Sequence, residues 1–123
     1  MLKRNGFLQS NELSEVIVKG MQEKKAEDIV VLDLRNIPNS VADFFVVCTG
    51  NSDTQVDAIS DSVEEFVFKA DQQSPWHVEG KMSKEWVLID YVDVVVHVFK
   101  EETREFFGIE DLWGDAKVIQ IAS

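Results

Sequence analysis

The segment Phe44–Thr49 constrains the fold more than any other part of this chain. It reads Phe-Phe-Val-Val-Cys-Thr, so nearly every side chain is apolar, whichever face it points to. A strand with one face in water alternates apolar and polar residues, whereas a continuous apolar run is typical of a strand buried on both faces. The sequence therefore predicts a sheet that contains this segment in its interior and is covered on both sides.

The remaining periodicities predict helices that pack on this sheet. Apolar residues recur every three or four positions over Leu13–Met21 and Val56–Val67, as in amphipathic helices, and Glu101–Phe107 reads as a shorter helix. The expected strands are Ile29–Leu34, Phe44–Thr49, Trp76–Glu79, Trp86–Tyr91 and Val94–Phe99. The order α-β-β-α-β-β-β-α indicates an α/β (α+β mixed) fold with a mixed sheet of about five strands.

A chain of 123 residues has the length of one domain. We expect that domain over residues 10–115, with a flexible leader over 1–9 and a C-terminal tail over 116–123. Met1–Arg4 has the charge of the start of a signal peptide, but Asn5–Ser10 is not the apolar segment that must follow.

The compartment is predicted from cysteine usage and hydropathy. Cys48 is the only cysteine, which excludes a disulfide scaffold and fits a reducing compartment. No apolar run approaches the roughly 18–20 residues of a membrane span. We therefore expect a cytoplasmic protein that does not bind membranes.

The charge distribution bears on the partner. The chain carries 12 Lys and Arg against 23 Asp and Glu, a net charge of −11. Residues 1–25 hold five basic and three acidic side chains, a net +2, so residues 26–123 have a net −13. Such a body repels phosphate backbones, which argues against direct binding of nucleic acid. A basic protein partner suits this charge, and acidity that serves solubility alone is the alternative.

The turn Gly50–Ser52, between a strand and a helix, raises the question of catalysis. Its backbone N–H groups could face a phosphate, but Ser52 and Gln55 are also spaced as a capping box. Combined with Asp90 and Asp93, the turn would suit a two-metal nucleotidyltransferase site. Residues three apart on a strand point to opposite faces, however, so a hairpin turn explains the two aspartates better.

No other group of residues calls for catalysis or for a cofactor. His77 and His97 lack a second ligand at metal-binding spacing, and Cys48 lies in an apolar strand where thiols are usually inert. A hydrogen-bonded, partly buried imidazole is the simplest interpretation of His97. The residues predict a protein that is not an enzyme and binds neither metal nor cofactor.

Aromatic residues are concentrated in the second half of the chain. Seven of them fall within 38 positions: Trp76, Trp86, Tyr91, Phe99, Phe106, Phe107 and Trp113. Trp and Tyr dominate the energetics of binding surfaces. Trp86 and Tyr91 begin and end one expected strand, with charged residues around them, as exposed anchors within a polar rim would be. The alternative is that two of the three tryptophans belong to the core.

Three ordered motifs resemble those of the ribosomal silencing factor family, RsfS or Iojap. The first comprises Ala42–Ser52 with Gln55, Val56, Ala58 and Ile59. The second comprises Val78–Gly80, Trp86–Tyr91 and Asp93–Phe99, and the third Arg104–Phe107 with Leu112 and Trp113. Together they run from about residue 10 to residue 115, which makes the resemblance more specific than any single motif.

The resemblance implies a non-enzymatic factor with a nucleotidyltransferase-like fold that lacks the active site. Such a factor binds the fourteenth protein of the large ribosomal subunit, on the face that meets the small subunit. It blocks subunit joining and silences translation when nutrients are scarce, and a homodimer is expected. The implied partner-binding residues are Trp86, Asp90, Tyr91, Asp93 and His97, followed by Trp76 and Trp113.

Val92 departs from the family pattern, which usually has glycine between the two hairpin strands. Glycine there suggests a positive φ, which is costly for a β-branched residue. Either the turn is of another type or its tip is strained.

Overall fold

The apolar run forms the interior strand that the sequence predicts. The computed structural model describes residues 6–108 and 114–121, and all seven residues of the strand Phe44–Gly50 are buried. The elements in chain order are α1 (Ser10–Glu23), β1 (Glu27–Asp33), β2 (Phe44–Gly50), α2 (Asp53–Asp71), β3 (His77–Glu79), β4 (Trp86–Asp90), β5 (Val94–Lys100), α3 (Glu101–Phe107) and β6 (Lys117–Gln120).

The strands form one mixed sheet in the order β3-β4-β5-β2-β1-β6. β2 and β5 run parallel, and every other neighbouring pair is antiparallel. The mixed α/β architecture is confirmed, with six strands instead of about five. The additional strand, β6, pairs with β1 and lies where a C-terminal tail was expected. Its four residues, all exposed, are too few to show a periodicity.

The end of the expected leader is attached to the domain. The backbone N–H groups of Phe7 and Leu8 donate to Oδ1 of Asp71, at 2.8 and 3.1 Å. Asp71 is the last residue of α2 and is itself buried. Residues 7 and 8 are therefore held by α2, while the domain boundary at residue 10 stays a prediction.

Helices α1 and α2 cover one face of the sheet. They approach closely at Gly20, where a Cβ atom would lie 3.0 Å from Cα of Val63, and Oγ of Ser62 donates to the Gly20 carbonyl at 2.8 Å. Alternate residues of β4 and β5 pack beneath them: Val87, Ile89, Val94, Val96 and Val98. This is the larger of the two cores.

The opposite face of the sheet carries a second core. It contains Val30, Leu32, Phe45, Val47, Val95 and Phe99 from the strands, with Leu34 and Ala42 from the loop between β1 and β2. Trp86 and Leu88 of β4 border it and are only half-buried. Near β4, this second face of the sheet presents side chains to solvent.

The hairpin between β4 and β5 turns at a γ-turn centred on Val92. Val92 has a φ of +75°, and the N–H of Asp93 donates to the Tyr91 carbonyl at 3.0 Å, a bond between residues two apart. Oδ1 of Asp90 accepts from the Val92 N–H at 2.7 Å. The turn is thus of a type that favours glycine, and a β-branched residue occupies its strained position.

Candidate partner-binding surface

Trp86 is the centre of an aromatic cluster on the second face of the sheet. Its ring stacks on that of Phe99, with centroids 4.8 Å apart, because the two residues are paired across β4 and β5. The ring of Phe107, on α3, lies 5.0 Å away. We call Trp86, His97, Phe99, Phe106 and Phe107 the Trp86 cluster.

His97 fixes the orientation of the Trp86 indole. Nε1–H of Trp86 donates to Nδ1 of His97 at 3.0 Å, so Nδ1 carries no proton and the imidazole is neutral. Burial lowers the pKa of His97 to about 4. The ring of Phe45 meets the imidazole edge-on at 4.7 Å. Among the described residues Nε2 has no hydrogen-bond partner. The sequence predicted a hydrogen-bonded, partly buried imidazole; the ring of His97 is hydrogen-bonded as an acceptor and is almost fully buried.

Phe106 and Phe107 bring the cluster to the surface. Phe106 is 83% exposed and meets Phe107 edge-on, with centroids 5.2 Å apart. Adjacent residues on a helix point about 100° apart, so Phe107 rests on Trp86 while Phe106 faces solvent. These two residues were absent from the candidate site. A Phe-Phe pair in a short, highly charged helix was the sequence signal for them.

None of the residues of α3 is buried, and polar contacts hold it on the sheet together with the packing of Phe107 on Trp86. Oγ1 of Thr103 donates to Glu85 at 2.7 Å, and this bond, with that from Lys100, lowers the pKa of Glu85. On the other side of α3, Nη1 of Arg104 donates to the Asp28 carbonyl at 2.6 Å and to Oγ1 of Thr49 at 2.9 Å. These contacts determine where Phe106 and Phe107 are presented.

The border of the Trp86 cluster is acidic. Glu101, Glu102 and Glu105 are exposed on α3. The lysine at its start, Lys100, is already paired with Asp53 at 2.7 Å. An apolar patch within a rim of carboxylates matches a partner that combines apolar and basic groups.

The structure contradicts the expectation that Tyr91 is an exposed anchor. Tyr91 is 1% exposed and lies in the larger core, under the helices. Trp86 and Tyr91 are five positions apart, and an odd separation along a strand places side chains on opposite faces. Burial raises the pKa of the Tyr91 hydroxyl, which has no hydrogen-bond partner among residues 6–108 and 114–121.

Asp90 and Asp93 belong to the hairpin turn. The Asp90 carboxylate holds the Val92 N–H, and the Asp93 carbonyl accepts from the N–H groups of Asp43 and Phe44 at 2.7 and 3.2 Å. Both aspartates are half-buried. They lie at the end of β4 opposite to Trp86, about 13 Å away along the strand.

Trp76 does not join the Trp86 cluster. Trp76 precedes β3 and is 60% exposed. Its backbone N–H donates to the Asp90 carbonyl at 2.8 Å, so Trp76 lies near the hairpin turn. Its ring is 5.8 Å from that of His77. Trp113 lies outside the described residues.

The arrangement that would make a nucleotidyltransferase site is not present. β2 and β5 are parallel, with Gly50 opposite Lys100 and Phe44 opposite Val94. The Gly50–Ser52 turn is therefore at one end of these strands and Asp93 at the other, about 20 Å apart. Oγ of Ser52 caps α2 by accepting from the Gln55 N–H at 3.1 Å.

The described part of the chain contains no group of three or more His, Cys, Asp or Glu side chains that could hold a metal ion. It also contains no helix that is both long and apolar enough to cross a membrane. Burial raises the pKa of Cys48 to about 12, so its thiol stays protonated and unreactive.

Fold and surface together define a mixed α/β domain that exposes aromatic side chains within an acidic border. The family described as "Ribosomal silencing factor during starvation" (RsfS) matches residues 8–123. The chain is similar to a protein named Ribosomal silencing factor RsfS from Halalkalibacterium halodurans, with 38% identity covering 93% of this chain and 96% of that protein. The protein of the same name from Bacillus subtilis is 37% identical, covering 93% and 95%.

A solved structure agrees with these relatives. The crystal structure of a Chromobacterium violaceum protein is similar to this one with a TM-score of 0.82 and 34% identity, covering 94% of this chain and 95% of that one. The chain belongs to the ribosomal silencing factor family, as its three motifs predicted.

Proposed function

We propose that this protein binds the large ribosomal subunit and, by its bulk, blocks joining of the small subunit, which represses translation when nutrients are limiting. Family membership supports a ribosomal target and a regulatory role. The docking partner is a basic ribosomal protein, the fourteenth of the large subunit, and RNA is contacted little. The protein acts in the cytoplasm as a homodimer and catalyses no reaction.

The observation that carries the proposal is the exposed Trp86 cluster. Phe106 is exposed above further aromatic rings, where it adds nothing to the stability of an isolated domain. Contiguous exposed apolar patches with polar rims mark interaction sites, and aromatic side chains dominate binding energies there. Phe106 and Phe107 would enter the partner, while Trp86 supports them from below.

Charge supports a basic protein rather than RNA as the main contact. The net charge of −11 and the carboxylates on α3 repel phosphate and attract Lys and Arg. Asp90 and Asp93, at the hairpin turn with Trp76, would form a second, more distant contact. Association should slow as salt rises, because screening weakens the long-range attraction. Faster association at high salt would contradict the assignment of a basic partner.

The test is co-sedimentation with purified large subunits on sucrose gradients. Trp86→Ala should weaken binding by about 2 kcal/mol or more, but it also removes the support of α3. Phe106→Ala is the sharper variant, because Phe106 is exposed and its substitution leaves Trp86 and His97 in place. The matched control is Phe68→Ala, which removes an exposed phenylalanine from α2.

Loss of co-sedimentation with Phe106→Ala, and normal co-sedimentation with Phe68→Ala, is the expected result. Undiminished binding of a folded Phe106→Ala protein would show that the Trp86 cluster is not the docking surface. Equal losses in both variants would assign the contact to another face.

A further inference from the structure

A cleft on the helix side of the sheet has no role in the proposed function. Helices lie about 10 Å apart and strands about 4.8 Å apart, so two helices cover about four strands. This sheet has six strands, and α1 lies over β2 more than over β1. The strands β1 and β6 at this edge are therefore not fully covered by α1, and a cleft of about 450 Å³ lies between them and the helix.

The floor of the cleft is apolar. Val18 of α1 faces Val31 of β1, Ile119 of β6 and Ile121 across it, and Phe44 lies at one end. Ile119 is 38% exposed although it lies on the helix side of the sheet. The free protein therefore leaves an apolar channel in contact with water, which a ligand with an apolar body would fill.

The shape of the cleft selects the kind of ligand. Its lining along α1 extends from Asn11 to Gln22, about 17 Å at 1.5 Å per residue. Its volume of about 450 Å³ lies in the range of about 300–1,000 Å³ that is usual for small-molecule clefts. A long cleft of this volume with an apolar floor suits an extended alkyl chain.

Lysines border the cleft. Lys19 and Lys117 line it, and neither has an ion-pair partner among the described residues. In contrast, Lys69, Lys81, Lys84 and Lys100 are each paired with a carboxylate. Arg35 also lines the cleft and is held by Asp33 at 2.8 Å.

The acidic residues of the lining do not cancel this positive charge. Lys19, Lys117 and Arg35 stand against Glu15 and Asp33, so the cleft has a net charge of +1 in a chain of net −11. A ligand that carries an anion is therefore favoured over a cationic one.

We propose that this cleft binds a medium-chain aliphatic carboxylate. The alkyl chain lies along α1 against Val18, Val31 and Ile119, and the carboxylate is bound by Lys19 or Lys117. This site lies on the face of the sheet opposite to the Trp86 cluster. Binding of the ligand is thus independent of docking to the ribosome, and either can fail without the other.

The test is calorimetric titration of the full chain with decanoate, hexanoate and decyltrimethylammonium. Each buried methylene tightens binding by up to about fourfold, so decanoate should bind at least tenfold more tightly than hexanoate. The ammonium compound has a chain of the same length as decanoate, so it should bind more weakly than decanoate by the charge difference alone. Amide shifts in NMR spectra should map to α1 and β6.

Matched variants separate the site from unspecific adsorption. Lys19→Gln and Lys117→Gln together should weaken decanoate binding by about fivefold, whereas Lys24→Gln, at an exposed lysine outside the cleft, should leave it unchanged. Val18→Trp fills the cleft and should abolish binding. Val41→Trp, at an exposed position in the loop before β2, should not.

The proposal is overturned if decanoate does not saturate, if the ammonium compound binds equally well, or if Val18→Trp binds normally. It is also overturned if Ile119→Glu converts a dimer to a monomer in sedimentation while no ligand binds. The cleft is then an interface between two copies of the chain.

Discussion

Val92→Gly should remove strain from the turn that joins β4 and β5. A β-branched residue at φ +75° occupies a region of backbone conformation that costs about 1–3 kcal/mol. Glycine adopts it freely, but its larger freedom in the unfolded chain offsets about 0.4–1 kcal/mol. The loss of the half-buried valine side chain offsets about 1 kcal/mol more.

Val92→Ala separates the strain from most of the packing, since alanine and glycine both lose the contacts of the two valine γ-methyl groups. Alanine retains the Cβ atom that makes a positive φ unfavourable. The glycine variant should therefore be about 1 kcal/mol more stable than the alanine variant, which is about 4 °C in Tm for a domain of this size. Urea unfolding followed by circular dichroism measures the difference.

Val41 provides the control position, because it is exposed and its φ is not positive. There the order should be reversed, with Val41→Ala more stable than Val41→Gly. If Val92→Gly is no more stable than Val92→Ala, the turn is not strained and the conformation inferred for Val92 is wrong.

Three further predictions concern the two faces of the sheet. The pKa of His97 falls from 6.5 to about 4 on folding, so the unfolded chain binds a proton first as the pH falls. The free energy of unfolding should therefore decrease by about 3 kcal/mol from pH 7 to pH 4. His97→Gln can still accept from Trp86 and should remove this decrease from a pH series of urea unfolding curves. Tyr91→Phe removes a buried hydroxyl without a described partner, so the free energy of unfolding should be unchanged or slightly higher, and large-subunit binding should not change. A loss of stability above about 1 kcal/mol would reveal a hydrogen bond to the hydroxyl. Thr103→Val breaks the hydrogen bond to Glu85, so amide hydrogen exchange in α3 should become faster and binding to the large subunit weaker. Unchanged exchange would show that other contacts hold α3.

The fold was predictable where a long segment repeats one pattern. The continuous apolar run indicated an interior strand, and the three-to-four residue periodicity indicated α1 and α2; all three are confirmed. β6 was missed because four exposed residues carry no period, and only pairing with β1 stabilises them.

The candidate site was predictable only in part. The aromatic surplus pointed to Trp86, and the resemblance pointed to the second and third motifs, but neither decides which face a side chain occupies. Strand alternation, applied to Trp86 and Tyr91, would have placed Tyr91 in the core. The role of Phe106 and Phe107 depends on how α3 is held by Thr103 and Arg104, and such long-range contacts leave no local pattern in the sequence.

The decisive measurement for the proposed function is the joining of ribosomal subunits in the presence of the protein. Purified large and small subunits are mixed with the protein at magnesium concentrations that favour association, and the gradient is scored for joined ribosomes. We expect that the protein keeps the subunits apart and sediments with the large one, and that Phe106→Ala permits joining while Phe68→Ala behaves as the unchanged protein. Sedimentation of the protein with fully joined ribosomes would contradict it.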